Sequence, residues 1–412
     1  MKKVRGASRL FLITALVSSL LAGCSTNSGN ESAANGRANG TDSNKTPASI
    51  KIGFLVPKTG KGKDYGEKEE IATKIAVQEI NDAGGINGSK IELITTDSAG
   101  DNNQAVSLTR KMEKDGVVAI SGPHFSGESE VAFPIANQLK VPIISYASAK
   151  PGLSEKNRPW AFRNSMTDDK LLDVAVPAFA KHYNVSKFAV IYDEQDAVSK
   201  AAGSQVFPMI LQKHGYTLLN KEQALTFKTG TTDFSAIVTK LKGMNPEAVA
   251  VSVLYQEGAG LVKEMRRQGV NVPVIGTVGV YAAAFPSLVG EAGKDIVVGT
   301  YWYPEIDRKQ AKDFLAKFQP EAAKITPDST LPDPYAVNSY DNIKIIAKSI
   351  KDAGLNGNSK LEDLREAVRK GWDNLKEYEG TQGKLTIDDK GDGIKEVHVV
   401  TIKNGKYQLL TK

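Results

Sequence analysis

Ser126 stands just ahead of a helix predicted to begin near Glu128. The first N–H groups of a helix lack internal partners and sit at the positive end of its dipole. Such a start is an anion site, and a hydroxyl there adds one donor. A serine at this place also suits a helix cap, so both roles stand open. Ala147, Ser148 and Ala149 follow the next predicted strand, where small side chains let backbone N–H and C=O groups approach a solute. Tyr65 is a candidate wall for a cleft, and Phe125 a candidate surface for an apolar part of the solute. This is the chemistry of holding a small anion.

Other chemistries find no constellation. Gly60, Gly62 and Gly66 are spaced G-x-G-x-x-x-G, which misses the dinucleotide fingerprint. Asp388 to Gly393 has the look of a calcium loop, but Lys390 occupies a ligand position and Val399 stands where the closing glutamate belongs, so a hairpin turn is expected. His124, His182, His214 and His398 show no metal spacing. Ser126 lacks the G-x-S-x-G context because His124 replaces the leading glycine. No cofactor, no metal and no catalytic residue is assigned.

The N-terminus speaks of export. Lys2, Lys3, Arg5 and Arg9 precede the short apolar run Leu10–Leu21, which is too short to span a bilayer and reads as a signal peptide over residues 1–23. Its end, Leu21-Ala22-Gly23-Cys24, resembles a bacterial lipobox, which implies lipidation of Cys24 and cleavage before it. An ordinary signal peptide with an incidental cysteine is the alternative. Cys24 is the one cysteine of the 412-residue chain, so an internal disulfide is excluded. Two or more lipid chains would anchor the protein stably. Residues 25–49 are mostly Ser, Asn, Gly, Thr and Ala, a composition expected of a tether with a reach of roughly 25–30 Å. The formal net charge of +6 falls to +2 once the four basic residues of the signal leave. No basic patch argues for nucleic acid.

The remaining chain alternates strands and helices. Ile50–Val56, Lys90–Thr96, Val117–Ile120 and Val141–Ser145 read as strands separated by helices at 67–83, 102–114 and 128–139. The beat resumes after Arg163, with strands near 188–192, 216–224, 248–253, 272–276 and 296–301 and helices at 168–183, 198–214, 234–241 and 258–268. Helices follow at 310–318, 335–353 and 361–370, then strands to the end. This pattern predicts parallel sheets covered on both faces, in two doubly wound lobes whose solute site lies at the carboxyl ends of the strands.

Three stretches, in order, resemble the leucine/isoleucine/valine-binding protein family of the type I periplasmic-binding fold. They are Ile50–Gly66, the helix stop Ala83-Gly84-Gly85-Ile86-Asn87-Gly88, and Ser121–Leu153. A looser likeness runs through Thr232-Asp233-Phe234 and residues 382–392. The resemblance implies a three-strand hinge between one lobe of 50–164 plus 302–379 and another of 165–301 plus 380–412. It implies that Ser126 holds an α-carboxylate, that the Ala147–Ala149 segment serves carboxylate and ammonium, and that Tyr335 is a cleft aromatic. Leu254, Tyr255 and Val278 are the second-lobe candidates. The sequence departs from the family pattern where Ala149 replaces a common threonine, Ala197 a stacking tyrosine and Val278 an acid. A valine cannot pair with an ammonium group, which puts an amino-acid ligand in doubt and leaves Asp193 or Glu257 as substitute partners. The expectation is a monomeric, lipid-anchored solute-binding protein of an ABC importer on the outer face of the cell membrane. It would deliver a branched-chain-type amino acid or related small carboxylate to a permease. A binder of a non-amino-acid solute and a sensing lipoprotein that signals to a receptor are the alternatives.

Overall fold

The computed structural model describes residues 47–410, so the signal peptide, Cys24 and most of the tether lie outside the described residues. Short apolar runs rich in Val and Ile form the strands, as expected of strands covered on both faces. In the first half these are β1 (Ile50–Val56), β2 (Ile91–Asp97), β3 (Ala119–Ser121), β4 (Ile143–Ser145) and β5 (Ala161–Arg163). They pair in parallel in the order β2-β1-β3-β4-β5, with α1 (Lys63–Asp82), α2 (Asn102–Lys114) and α3 (Ser126–Leu139) as crossovers.

After β5 the chain passes to a second sheet. Its elements are α4 (Asp168–Tyr183), β6 (Lys187–Asp193), α5 (Ala197–Ala201), α6 (Phe207–Lys213), β7 (Thr217–Leu218), β8 (Leu225–Phe227), α7 (Ser235–Gly243), β9 (Ala248–Ser252), α8 (Tyr255–Arg267), β10 (Val274–Gly276), α9 (Phe285–Val289) and β11 (Ile296–Thr300). The chain then returns through α10 (Lys309–Ile325), α11 (Pro334–Asp352) and α12 (Leu361–Asp373) to a small sheet of β12 (Tyr378–Gly380), β13 (Gly383–Ile387) and β14 (Gly393–Ile394). It crosses a third time to β15 (His398–Lys403) and β16 (Lys406–Leu409), which close the edge of the second sheet antiparallel to β11. The second sheet runs β16-β15-β11-β10-β9-β6-β7, with β8 also on β6. The architecture is therefore two α/β lobes joined by three chain crossings.

Three details differ from the sequence reading. The strand expected over 216–224 is only Thr217–Leu218, and the next pairing starts at Leu225. Between them Asn220 turns its amide onto the N–H and C=O of Val190, a side chain taking the ladder's place. The helix expected over 198–214 carries a π turn at Ala202–Val206. Pro208 follows, which has no N–H and whose ring displaces the carbonyl four residues back. Finally, Leu385 and Ile387 of β13 are buried with α11 and α12 in the first lobe's core. The tight hairpin from Gly380 to Gly383 keeps β13 beside β12, so return to the second sheet comes near 395 rather than at 380.

Candidate functional site

The carboxyl ends of the strands in both sheets face one cavity, where a parallel α/β sheet places its ligands. Tyr65, His124, Phe125, Ser126, Ala147, Ala149 and Tyr335 line it from the first lobe and crossover helices. Asp168, Val198, Leu254, Thr277, Val278 and Gly279 line it from the second. It encloses about 30 Å³. That is the share of one water in liquid, against roughly 300 Å³ or more for an ordinary ligand pocket. The cleft is closed in this conformation.

Hydrogen bonds across the cleft hold it shut. Tyr65 donates its hydroxyl to the Gly279 carbonyl at 3.0 Å, and Tyr335 to the Val278 carbonyl at 2.7 Å. Tyr255 donates to the Asp64 carboxylate, and Lys61 approaches Asp196 at 3.7 Å. Tyr65 is fixed by a stacked contact with His124, ring centroids 4.8 Å apart, and by edge contacts with Tyr255 and Tyr335. The glycines on either side of it serve close packing. A Cβ on Gly66 would lie 2.0 Å from the Pro57 carbonyl oxygen, and one on Gly62 would meet Phe125 at 2.9 Å.

α3 begins at Ser126, two residues earlier than the sequence suggested. Glu128 reaches back to accept the Phe125 N–H at 3.0 Å, half of a capping box. Ser126 itself does not cap. Its Oγ accepts the N–H groups of Ala149 and Lys150 at 3.2 Å each and lies 3.1 Å from Ser148 Oγ. Ser145 Oγ donates to the Pro123 carbonyl and accepts the Ser148 N–H at 3.0 Å. The loops after β3 and β4 are thus tied together, and they gather the α3 start, a hydroxyl and two backbone amides at one end of the cavity. Arg163 and Ser165, on the first crossing, bond the carbonyls of Ser148 and Lys150 from below. Asp392, on the third, pairs with Arg163 at 2.7 Å. The hinge itself therefore fixes the loop after β4.

The sequence missed Asp168, the first residue of α4. It is fully buried, lines the cavity, and neither carboxylate oxygen has a hydrogen-bond partner among the described residues. Burial, with Asp169 and Asp196 nearby, pushes its pKa up to about 8. The Val278 N–H and the Arg163 guanidinium, which face it, only partly offset this. An acid therefore lies beside Val278, on α4. Neither substitute named from sequence lines the cavity. Asp193 accepts the N–H groups of Gln195 and Asp196 and the Thr229 hydroxyl, and Glu257 accepts the Gly230 N–H. Asp168 heads a helix, where acids are common for dipole reasons alone, so its role shows only once the first crossing is traced into the cleft.

Tyr65, Phe125, Ser126, Ala147, Ala149, Leu254, Val278 and Tyr335 are brought together on the cavity wall. Ser148 and Tyr255 stand behind it, the first supporting Ser126 and the second supporting Tyr65. Val198, one residue past Ala197, lines the cavity from the first turn of α5. His124, also missed, pairs with Glu69 at 2.5 Å beneath the wall. Burial is the largest influence and lowers its pKa, but Glu69, Glu128 and Asp333 together raise it above its usual value. The calcium-like loop is a hairpin turn in which Asp388 accepts the N–H groups of Lys390 and Asp392.

The sequence profile of the periplasmic binding protein family matches residues 49–406. The chain belongs to that family. It is similar to the Leu/Ile/Val-binding protein BraC3 of Rhizobium johnstonii, 29% identical over 84% of this chain and 89% of that protein. Among solved structures it resembles the leucine-binding protein LivK of Thermotoga maritima, with a TM-score of 0.77 and 24% identity over 88% of this chain and 98% of that one. It also resembles LivJ of Streptococcus pneumoniae, a branched-chain amino acid transporter substrate-binding protein solved with isoleucine. There the TM-score is 0.75 and the identity 25%, over 87% of this chain and 98% of that one. The protein is an extracytoplasmic solute-binding protein and not an enzyme. Among the described residues no helix is long and apolar enough to cross a membrane.

Proposed function

We propose that this protein captures a branched-chain-type aliphatic L-amino acid in the inter-lobe cleft and presents it to an ABC permease. The observation that carries this reading is the unpartnered, buried carboxyl of Asp168 in the same small cavity as the α3 start and Ser126. The α3 start suits a carboxylate. Close by, where the Asp168 N–H donates to the Ala149 carbonyl at 3.0 Å, stands a carboxyl that only a cation or a hydrogen-bonding group would satisfy. Phe125, Val198, Leu254 and Val278 supply apolar surface for an aliphatic side chain. The relatives' leucine, isoleucine and valine binding agrees with this choice. Cys24 would hold the protein at the outer face of the membrane through lipid. Changing Cys24→Ser should release the protein or leave its precursor uncleaved, and unchanged membrane retention would count against the anchor.

A ligand that binds only the folded protein stabilises it by about 2.7 kcal/mol at a hundred times its Kd. For lobes of this size that is several degrees of Tm. L-leucine, L-isoleucine or L-valine should produce such a shift. A shift with benzoate or short-chain carboxylates, and none with these amino acids, would overturn the assignment.

A further inference from the structure

A second cavity, of about 240 Å³, shares no residue with the ligand cleft. Tyr281, Ala283, Pro286, Lys406 and Tyr407 wall it from the second lobe. Pro304, Leu315, Leu331 and Pro332 face them from the second crossing and the α10 region. Tyr281 and Tyr407 stack with centroids 3.9 Å apart at 11°. The Tyr407 hydroxyl bonds the carbonyls of Val280 and Ala282 at 3.3 Å each. The Tyr281 hydroxyl, on a side chain 1% exposed, has no partner among the described residues. A buried hydroxyl without a partner is costly, and a ligand group that meets it would be favoured.

We propose that this cavity is a second ligand site, for an aromatic compound of one or two rings bearing a hydroxyl or similar hydrogen-bonding group. An apolar cavity of roughly 150 Å³ is enough to hold benzene, so the volume here admits a substituted ring. The proline faces and the tyrosine pair offer flat apolar surface for it. Glu305, Gln319 and Lys406, exposed at its edge, give polar substituents a place to leave. Because the two lobes contribute opposite walls, an occupant gains all its contacts only when they are together. Occupancy therefore favours the closed state and tightens binding in the main cleft, and solute in the cleft tightens this site by the same factor.

The test titrates the full chain with p-cresol and with toluene, read by saturation-transfer NMR. Saturable p-cresol binding is expected. Tyr281→Phe should weaken p-cresol about fivefold while leaving toluene unchanged, the effect of one neutral hydrogen bond. Ala283→Trp, which fills the cavity, should abolish both, and Leu315→Trp fills it from the opposite wall should the first variant fold poorly. Absence of saturable binding, or binding indifferent to both fillings, overturns the site. The closure arm rests on the proposed function and is read separately, as a lower Kd for L-leucine with p-cresol present. Cresol binding that leaves the leucine Kd unchanged overturns the coupling. Cresol binding with no leucine binding at all leaves the second site standing and sinks the amino-acid assignment.

Discussion

In this account Asp168 selects the ligand's charge. In the closed cleft burial raises its carboxyl from the ordinary 3.8 to about 8, and opening to solvent would relax it toward that ordinary value. A ligand without an ammonium group must therefore close the lobes over a carboxyl that takes up a proton. Its bound state holds the extra proton, so its affinity should fall as pH rises from about 4 to about 8. An amino acid brings its own cation, Asp168 stays ionised, and affinity should be flat over that window. Calorimetry with L-leucine and its 2-oxo analogue across pH 5–8 checks both slopes. Asp168→Asn should cost leucine about 3 kcal/mol, as for one partner of a buried charge pair, and should flatten the oxo acid's profile. Ser126→Ala would act on the carboxylate instead. It should weaken leucine and the oxo acid equally, by about 1–3 kcal/mol. The place of Ser126 on the cavity wall was legible in sequence, because a serine before a helix after a buried strand has local meaning. That of Asp168 was not, since it reaches the cleft through a crossing that no local pattern reveals. Tyr255 and Ser148 were read as contacts because sequence gives a residue's place on an element but not the face it turns.

At the scale of elements, α11 is the post on which the hinge is hung. Asn338 joins all three crossings. Its carbonyl accepts the Asn164 amide at 3.2 Å, its own amide donates to the Tyr301 hydroxyl at 3.2 Å and to the Tyr146 carbonyl at 2.7 Å, and its Oδ1 accepts Lys395. Lys395 also donates to Gln382 at 2.8 Å and lies over the Tyr301 ring. Burial pushes its pKa well down, with Asp341 pulling the other way. A buried network is stable only when every member is satisfied. Asn338→Ala should therefore lower unfolding free energy by about 2–4 kcal/mol, through several orphaned polar groups at about 1–3 each. Urea denaturation should show the loss as a lower midpoint at unchanged slope, and an unchanged midpoint would mean that the network is idle. The alternation of strands and helices made both sheets readable from sequence. What it concealed was the polar wiring between crossings, because Asn164, Asn338 and Lys395 are far apart in the chain and ordinary in type.

For the whole molecule, the account requires a clamshell that opens. The closed cleft admits little more than a water, and the Tyr65 and Tyr335 hydroxyls each contribute one hydrogen bond across it. The double variant Tyr65→Phe, Tyr335→Phe loses about 1–3 kcal/mol of closure at 0.5–1.5 per bond. Without ligand it should show a larger radius of gyration in small-angle scattering than the wild type, and saturating leucine should shrink it again. An unchanged profile in both states would mean that the lobes do not move. The central claim is that this closing cleft is built for a zwitterion, with the α3 start and Ser126 for its carboxylate and Asp168 for its ammonium. Calorimetric titration of the wild-type protein at pH 7.5 with L-leucine and, separately, with its 2-oxo analogue tests it most directly. The account predicts that leucine binds at least a hundredfold more tightly. Equal affinities, or tighter binding of the oxo acid, would contradict it.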